Sequence, residues 1–161
     1  MKSRAVISNT MADERGQSFE RINEALVDVF NNVMWVEEDY LQGSDFKDIT
    51  LKDMHTIAAI SMYQARSASE LAGMVHLTPS ATTSAIDKLV RKGYVERKRD
   101  ENDRRMVWIT LSHRGKIVYR AHEAFHRGIA HALLDSLDES DANKIETAVM
   151  RLQDYLHQLM N

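Results

Sequence analysis

Residues 77–115 read LTPSATTSAIDKLVRKGYVERKRDENDRRMVWITLSHRG. Thr78 followed by Pro79 is a hydroxyl N-cap with proline at the first helical position, and it opens a helix running to Lys92. Gly93 stops that helix. Two β-type runs follow, 94–98 and 107–111, joined by the polar residues 99–106, which predicts a hairpin with a long charged tip. Ser112 then caps a long helix reaching about Ser136. Upstream, Ser67-Ala-Ser-Glu70 has capping-box spacing and opens a short helix over 68–75.

A short helix, a turn at His76-Leu77, a second helix and a hairpin form the order of a winged helix-turn-helix. At about 100° per residue, Thr82, Ala85, Ile86, Leu89 and Val90 gather on one side of the second helix. Ser80, Thr83, Ser84, Asp87, Lys88 and Arg91 take the opposite side. That division suits a recognition helix, with an aliphatic face for anchorage and small hydrogen-bonding residues that approach base edges. Lys88 and Arg91 lie further along, where phosphates would be met, and Asp87 is expected to orient Arg91 at i+4 or to accept a bond from cytosine. The hairpin tip offers Arg99, Arg104 and Arg105 as minor-groove cations, with Asp103 bracing one guanidinium and Arg105 favoured as the finger. A solvated helix face and a solubilising charged turn explain each half separately. Their adjacency favours DNA.

Bulk composition agrees. The 161 residues are 43% hydrophobic and 28% charged, and one Pro with six Gly argues for a mainly helical chain. No Cys is present, which excludes disulfides, thiolate metal sites and a cysteine nucleophile. Neither a signal peptide nor a membrane-length apolar run is visible, so the expected location is cytoplasmic. The net charge of −3 hides an uneven distribution. Residues 17–45 carry Glu20, Glu24, Asp28, Glu37, Glu38, Asp39 and Asp45 against Arg21 alone. Residues 88–105 carry Lys88, Arg91, Lys92, Arg97, Lys98, Arg99, Arg104 and Arg105 against four acids. An anionic partner responds to that local patch, not to the average.

Residues 77–115 closely resemble the MarR family of bacterial winged-helix regulators, whose signature includes the wing Asp-Arg-Arg, a strand and a Leu-Thr pair; here Leu111 is followed by Ser112. The resemblance implies a mainly α fold with a small β-hairpin wing, a MarR-like six-helix homodimer that binds a pseudo-palindromic operator. The expected organisation is a flexible N-terminal arm over 1–17, dimerisation helices over 18–45 and 112–161, and a winged helix-turn-helix module over 46–111. The terminal segments carry apolar stripes fit for pairing: Phe19, Ile22, Leu26, Val29, Phe30 and Val33 at one end, and Ile145, Val149, Leu152, Leu156 and Leu159 at the other.

HEAFH, residues 122–126, matches H-E-x-x-H, which holds zinc in metalloproteases. Counting from Ile117, His122 and His126 fall near 140° and 180°, side by side at the edge of an apolar stripe. His131 falls near 320° and cannot join them on a straight helix. Glu123 projects outward among arginines, and nothing in the chain builds a substrate cleft. An enzyme is not expected. Zinc sensing is a stronger alternative: some MarR-family members bind zinc on the corresponding helix, and His122, His126, Glu37, Glu38 and His55 are the candidates. The main expectation, however, assigns no metal and no cofactor, with both histidines bracing a helix junction.

Residues 30–57, FNNVMWVEEDYLQGSDFKDITLKDMHTI, and 120–128, RAHEAFHRG, are similar to the FabT-type branch, which represses bacterial fatty-acid synthesis. That resemblance implies an acylated acyl carrier protein as co-repressor, its acyl chain the effector. Met34, Met54, Ile57, Met62, His122, Phe125 and His126 are candidate pocket residues, with adaptable methionines among them. Arg114, Lys116, Arg120 and Arg127 are candidates for a basic surface receiving the acidic carrier protein.

Overall fold

The computed structural model describes residues 2–75, 77–101, 103 and 105–160, with side chains described from residue 16 onward. The chain forms α1 (Lys2–Gln42), α2 (Leu51–Ile60), α3 (Ala68–Met74), α4 (Pro79–Arg91), β1 (Val95–Arg99), β2 (Val107–Leu111), α5 (His113–Leu134) and α6 (Glu139–Met160). It divides into a unit ending at Asp53 and a unit from Met54 onward.

In the first unit α1 starts at Lys2, not near Phe19, so the segment expected to be a flexible arm is helical backbone. The stretch contains no proline and a single glycine, Gly16, so nothing local breaks helical hydrogen bonding. At the other end Ser44 closes the helix: its Oγ donates to Leu41 O at 2.7 Å and accepts from Phe46 N at 3.0 Å. Thr50 and Asp53 cap each other reciprocally, Asp53 N to Thr50 Oγ1 at 3.2 Å and Thr50 N to Asp53 Oδ2 at 3.1 Å. Phe19, Ile22, Phe30 and Trp35 on α1 are all more than half exposed, leaving its apolar stripe open in the single chain.

In the second unit α2 ends at Ile60, because Ser61 adopts φ 65° and leaves the right-handed helical region. The chain then runs into a rung that the sequence pattern did not announce. Arg66 N donates to Ile109 O at 3.1 Å, and Ile109 N donates to Arg66 O at 2.7 Å, so β2 is paired on both sides. The Ser67–Glu70 box starts α3, with Ser67 N donating to Glu70 Oε2 at 2.7 Å and Glu70 N to Ser67 Oγ at 3.3 Å. Thr78 Oγ1 accepts from Ala81 N at 3.2 Å and starts α4. β1 and β2 pair antiparallel, Val95 opposite Leu111 and Arg99 opposite Val107. Ile57, Ile60, Leu71, Ile86, Leu89, Tyr94, Val95, Ile109, Leu111 and Val118 form the buried core, which joins α2, α3, α4, the hairpin and the start of α5. No residue of α6 is buried.

A dense junction sets the hairpin against the helices. Gly93 takes φ 76°, which glycine adopts without the cost of a Cβ, and Tyr94 N returns to Leu89 O at 2.9 Å. Ser112 N donates to Tyr94 O at 3.0 Å, while Ser112 Oγ donates to Gly93 O at 2.6 Å and accepts from Gly115 N at 3.1 Å. A Cβ on Gly115 would lie 2.1 Å from Tyr94 O. The fully buried Tyr94 leaves no room for that backbone to retreat. Gly115→Ala should therefore destabilise the fold by about 1–3 kcal/mol or more through overpacking, seen as a lower Tm by calorimetry. An unchanged Tm would mean that the junction yields.

The hydrogen bonds from Ser67, backbone then side chain, hold the Glu70 carboxyl below its ordinary value. A depressed carboxylate stabilises the fold above its unfolded pKa, and that stabilisation is lost as pH falls through the folded value. Glu70→Gln should therefore reduce stability near neutral pH and make the remaining stability less sensitive to acid. Denaturant titrations at several acidic pH values would check this, and parallel wild-type and variant curves would contradict it.

Candidate nucleic-acid interface

α3 and α4 form the helix-turn-helix. His76, in the expected turn, lies outside the described residues, and Leu77 N closes onto Ala72 O at 3.3 Å. On α4, Thr82, Ile86 and Leu89 are fully buried, whereas Ser80, Thr83, Ser84 and Arg91 are exposed; Asp87 and Lys88 are half-buried. The division read from helical angles is the one observed. Burial of Thr82 is satisfied, because its Oγ1 donates to Thr78 O at 3.0 Å. Thr83 Oγ1 donates to Pro79 O at 2.9 Å and Ser84 Oγ to Ser80 O at 3.0 Å. Both hydroxyls keep lone pairs free to accept from base amino groups.

Asp87 does not take the partner expected for it. Arg97 Nη1 of β1 meets Asp87 Oδ1 at 2.5 Å, and the carboxylate turns to the hairpin instead of to Arg91. The reason lies in the β1 register: Arg97 shares a face with the buried Val95, the face turned to α4, while Glu96 and Lys98 alternate away.

The wing tip is built on aspartates. Asp100 N donates to Met106 O at 3.1 Å, Asp100 Oδ1 accepts from Asp103 N at 2.9 Å, and Asp100 Oδ2 accepts from Trp108 Nε1 at 2.8 Å. Asp103 Oδ1 accepts the backbone N–H of Arg105 at 3.0 Å, and Met106 N donates to Asp103 O at 2.9 Å. The bond described for Asp103 thus goes to backbone, not to the guanidinium it was expected to brace, because a short side chain in a tight turn reaches its own amides first. Arg99 and Arg105 are exposed; Arg104 lies outside the described residues. Arg97, Asp100 and Trp108 are the residues that motif reading passed over. Strand alternation could have flagged Arg97 as the β1 residue turned toward α4.

Of the four bases expected to receive a carrier protein, Arg120 and Arg127 are exposed and Lys116 is half-buried. Arg114 is engaged elsewhere: Nη1 donates to Lys92 O at 3.2 Å, and the guanidinium stacks 4.3 Å from the Tyr94 ring centroid. Its position in the first turn of α5, directly over the Gly93 junction, turns it inward, away from the outer face expected for it. The pocket candidates are spread through the chain. Met34 lies in the first unit; in the second, Met54 and Ile57 are buried, while Met62 and Phe125 are half-buried. His122 and His126 are adjacent as the helical angles required, their Nε2 atoms 3.1 Å apart, and the His55 ring centroid stands 5.4 Å from that of His122. Glu123 is half-buried and accepts from Tyr63 Oη at 3.5 Å instead of pointing out among arginines.

A capped helix with an exposed polar face, next to a cation-bearing hairpin, defines a winged helix-turn-helix DNA-binding protein. The MarR family model matches residues 49–107. HTH-type transcriptional regulator BilQ of Clostridium symbiosum is 30% identical over 105 residues, covering 65% of this chain and 72% of that protein. The uncharacterized HTH-type transcriptional regulator YwhA of Bacillus subtilis is 57% identical over 42 residues, which are 26% of this chain and 30% of that protein. Among solved structures, Streptococcus pneumoniae FabT in complex with DNA superposes with a TM-score of 0.78 at 36% identity, covering 88% of this chain and 99% of that one. The chain belongs to the MarR family. It is a DNA-binding transcriptional regulator and not an enzyme.

Arg105→Ala should weaken DNA binding and lower the slope of log affinity against log salt by about one charge. Fluorescence anisotropy on a labelled duplex at several salt concentrations measures both. An unchanged slope would move the wing finger to another residue.

Proposed function

We propose that this protein is a dimeric repressor of fatty-acid-synthesis genes whose operator affinity is raised by long-chain acyl groups carried on acyl carrier protein. The observation that carries this reading is the similarity to FabT over nearly the whole of both chains, in a structure solved with DNA. The dimer follows from the terminal helices. Phe19, Ile22 and Phe30 on α1, and Val149, Leu156 and Leu159 on α6, stand exposed at helical spacing in the single chain. A second copy would cover both stripes and bring two winged modules to successive major grooves, about 34 Å apart. Repression fits a protein that occupies an operator through two such modules.

A second reading is favoured by one specific observation. Nε2 atoms of His122 and His126 lie 3.1 Å apart, close to the edge of about 3.3 Å in a tetrahedral site with zinc–nitrogen bonds of about 2.0 Å. A ligand nitrogen of His55 lies within 4.8 Å of one on His122, so α2 brings a further imidazole beside His122. These donors suit a borderline-soft dication, and a zinc-responsive repressor is the alternative they support. Glu37 and Glu38, proposed as further ligands from sequence, belong to the first unit.

One titration separates the readings. Purified protein is added to a pseudo-palindromic operator duplex with chelator, with zinc, or with long-chain acyl carrier protein. The proposed function predicts tighter binding only with the acylated carrier. Loss of binding in chelator, restored by zinc and abolished in His122→Ala, would overturn it in favour of metal sensing.

A further inference from the structure

The Asp87–Arg97 pair has no part in the readings above, yet it is the side-chain ion pair described between the recognition helix and the wing. Asp87 sits on the α4 face that carries Ser80, Ser84 and Arg91, the face offered to DNA. An isolated carboxylate there would repel phosphate, so its presence asks for a reason. Arg97 supplies one. Its guanidinium leaves the middle of β1, one strand residue beyond Glu96, and reaches back to Oδ1. The bond is charge-assisted and spans the Gly93 turn that joins α4 to the hairpin, adding a side-chain tie further out along β1 than the junction at the wing's root. The two side chains are 37% and 41% exposed, so the pair adds little to the stability of the free protein. Its effect falls on the orientation of one reading element against the other.

The geometry points to Asp87 and Arg97 as positioning residues for operator recognition: their ion pair fixes the angle between recognition helix and wing, so that major-groove and minor-groove contacts form together. Pre-organisation of this kind raises affinity by removing an ordering cost at binding. The inference rests on the DNA interface described above and goes beyond it, because it assigns function to an acidic residue on a face that binds a polyanion.

The sign of one measurement tests it. If Asp87 acted only as a charge, Asp87→Ala would relieve repulsion and strengthen binding to any duplex. As a positioning residue, its loss weakens binding roughly five- to tenfold on a duplex selected by the wild-type protein from a random-sequence pool, with little effect on a scrambled duplex. Arg97→Ala is expected to give a similar loss, and the double variant no more than either single one. The reversed pair, Asp87→Arg with Arg97→Asp, should recover part of the affinity. Hydroxyl-radical footprints of the Asp87→Ala complex should lose protection beneath the wing while keeping that beneath α4. Circular dichroism confirms that each variant is folded, as half-exposed positions lead one to expect. Additive losses, or tighter binding by Asp87→Ala, would overturn the coupling while leaving the DNA interface intact. A wild-type footprint lacking either the helix or the wing would overturn both.

Discussion

The contact between Tyr94 O and the first turn of α5 is the constraint on which the second unit depends. That carbonyl accepts from Ser112 N and faces Gly115 at a distance that leaves no room for a Cβ. Ser112 in turn holds Gly93 O and caps α5. A recognition helix ends, a hairpin starts and returns, and a long helix leaves, all within one hydrogen-bonded knot. The stacking of Arg114 on Tyr94 closes it from outside. Because the knot ties the root of the wing to the end of α4, a hairpin of two five-residue strands can present arginine at a defined place.

Stability and recognition are distributed differently over this framework. The core that fixes α4 is aliphatic and fully buried, so the helix itself is rigidly seated. The wing and the exposed face of α4 are held by short polar bonds at the surface: Asp100 to Trp108, Asp103 to the Arg105 amide, Arg97 to Asp87. In a regulator of a polyanion, these carboxylates serve geometry. Each holds backbone or a cation in place, so a net charge of −3 is compatible with a basic reading surface.

Much of this was legible in the sequence because its signals are local. Ser67, Thr78 and Ser112 each sit one residue before a helix, and each makes the cap bond that its spacing announces. The two faces of α4 followed from angle alone, as did the adjacency of His122 and His126. What escaped was set by tertiary placement. The Arg66–Ile109 rung joins positions distant in the chain, and no pattern of period two marks a single residue as a strand. Asp87 has an i+4 arginine on its own helix, yet the strand register delivers a closer one. Arg114 is a candidate for a basic receiving surface by sequence, but the turn over which its helix begins gives it an inward ring and carbonyl. The helix through residues 2–17 was missed because a polar, aperiodic stretch carries no amphipathic signal even where nothing prevents helix formation.

The central claim is that two copies of this surface read one operator, each with helix and wing together. Hydroxyl-radical footprinting of the wild-type protein on its selected duplex tests that most directly. Two symmetric protected patches about one helical turn, roughly 34 Å, apart are expected, with further minor-groove protection flanking them where the wings reach. A single patch, or paired patches without flanking protection, would contradict it.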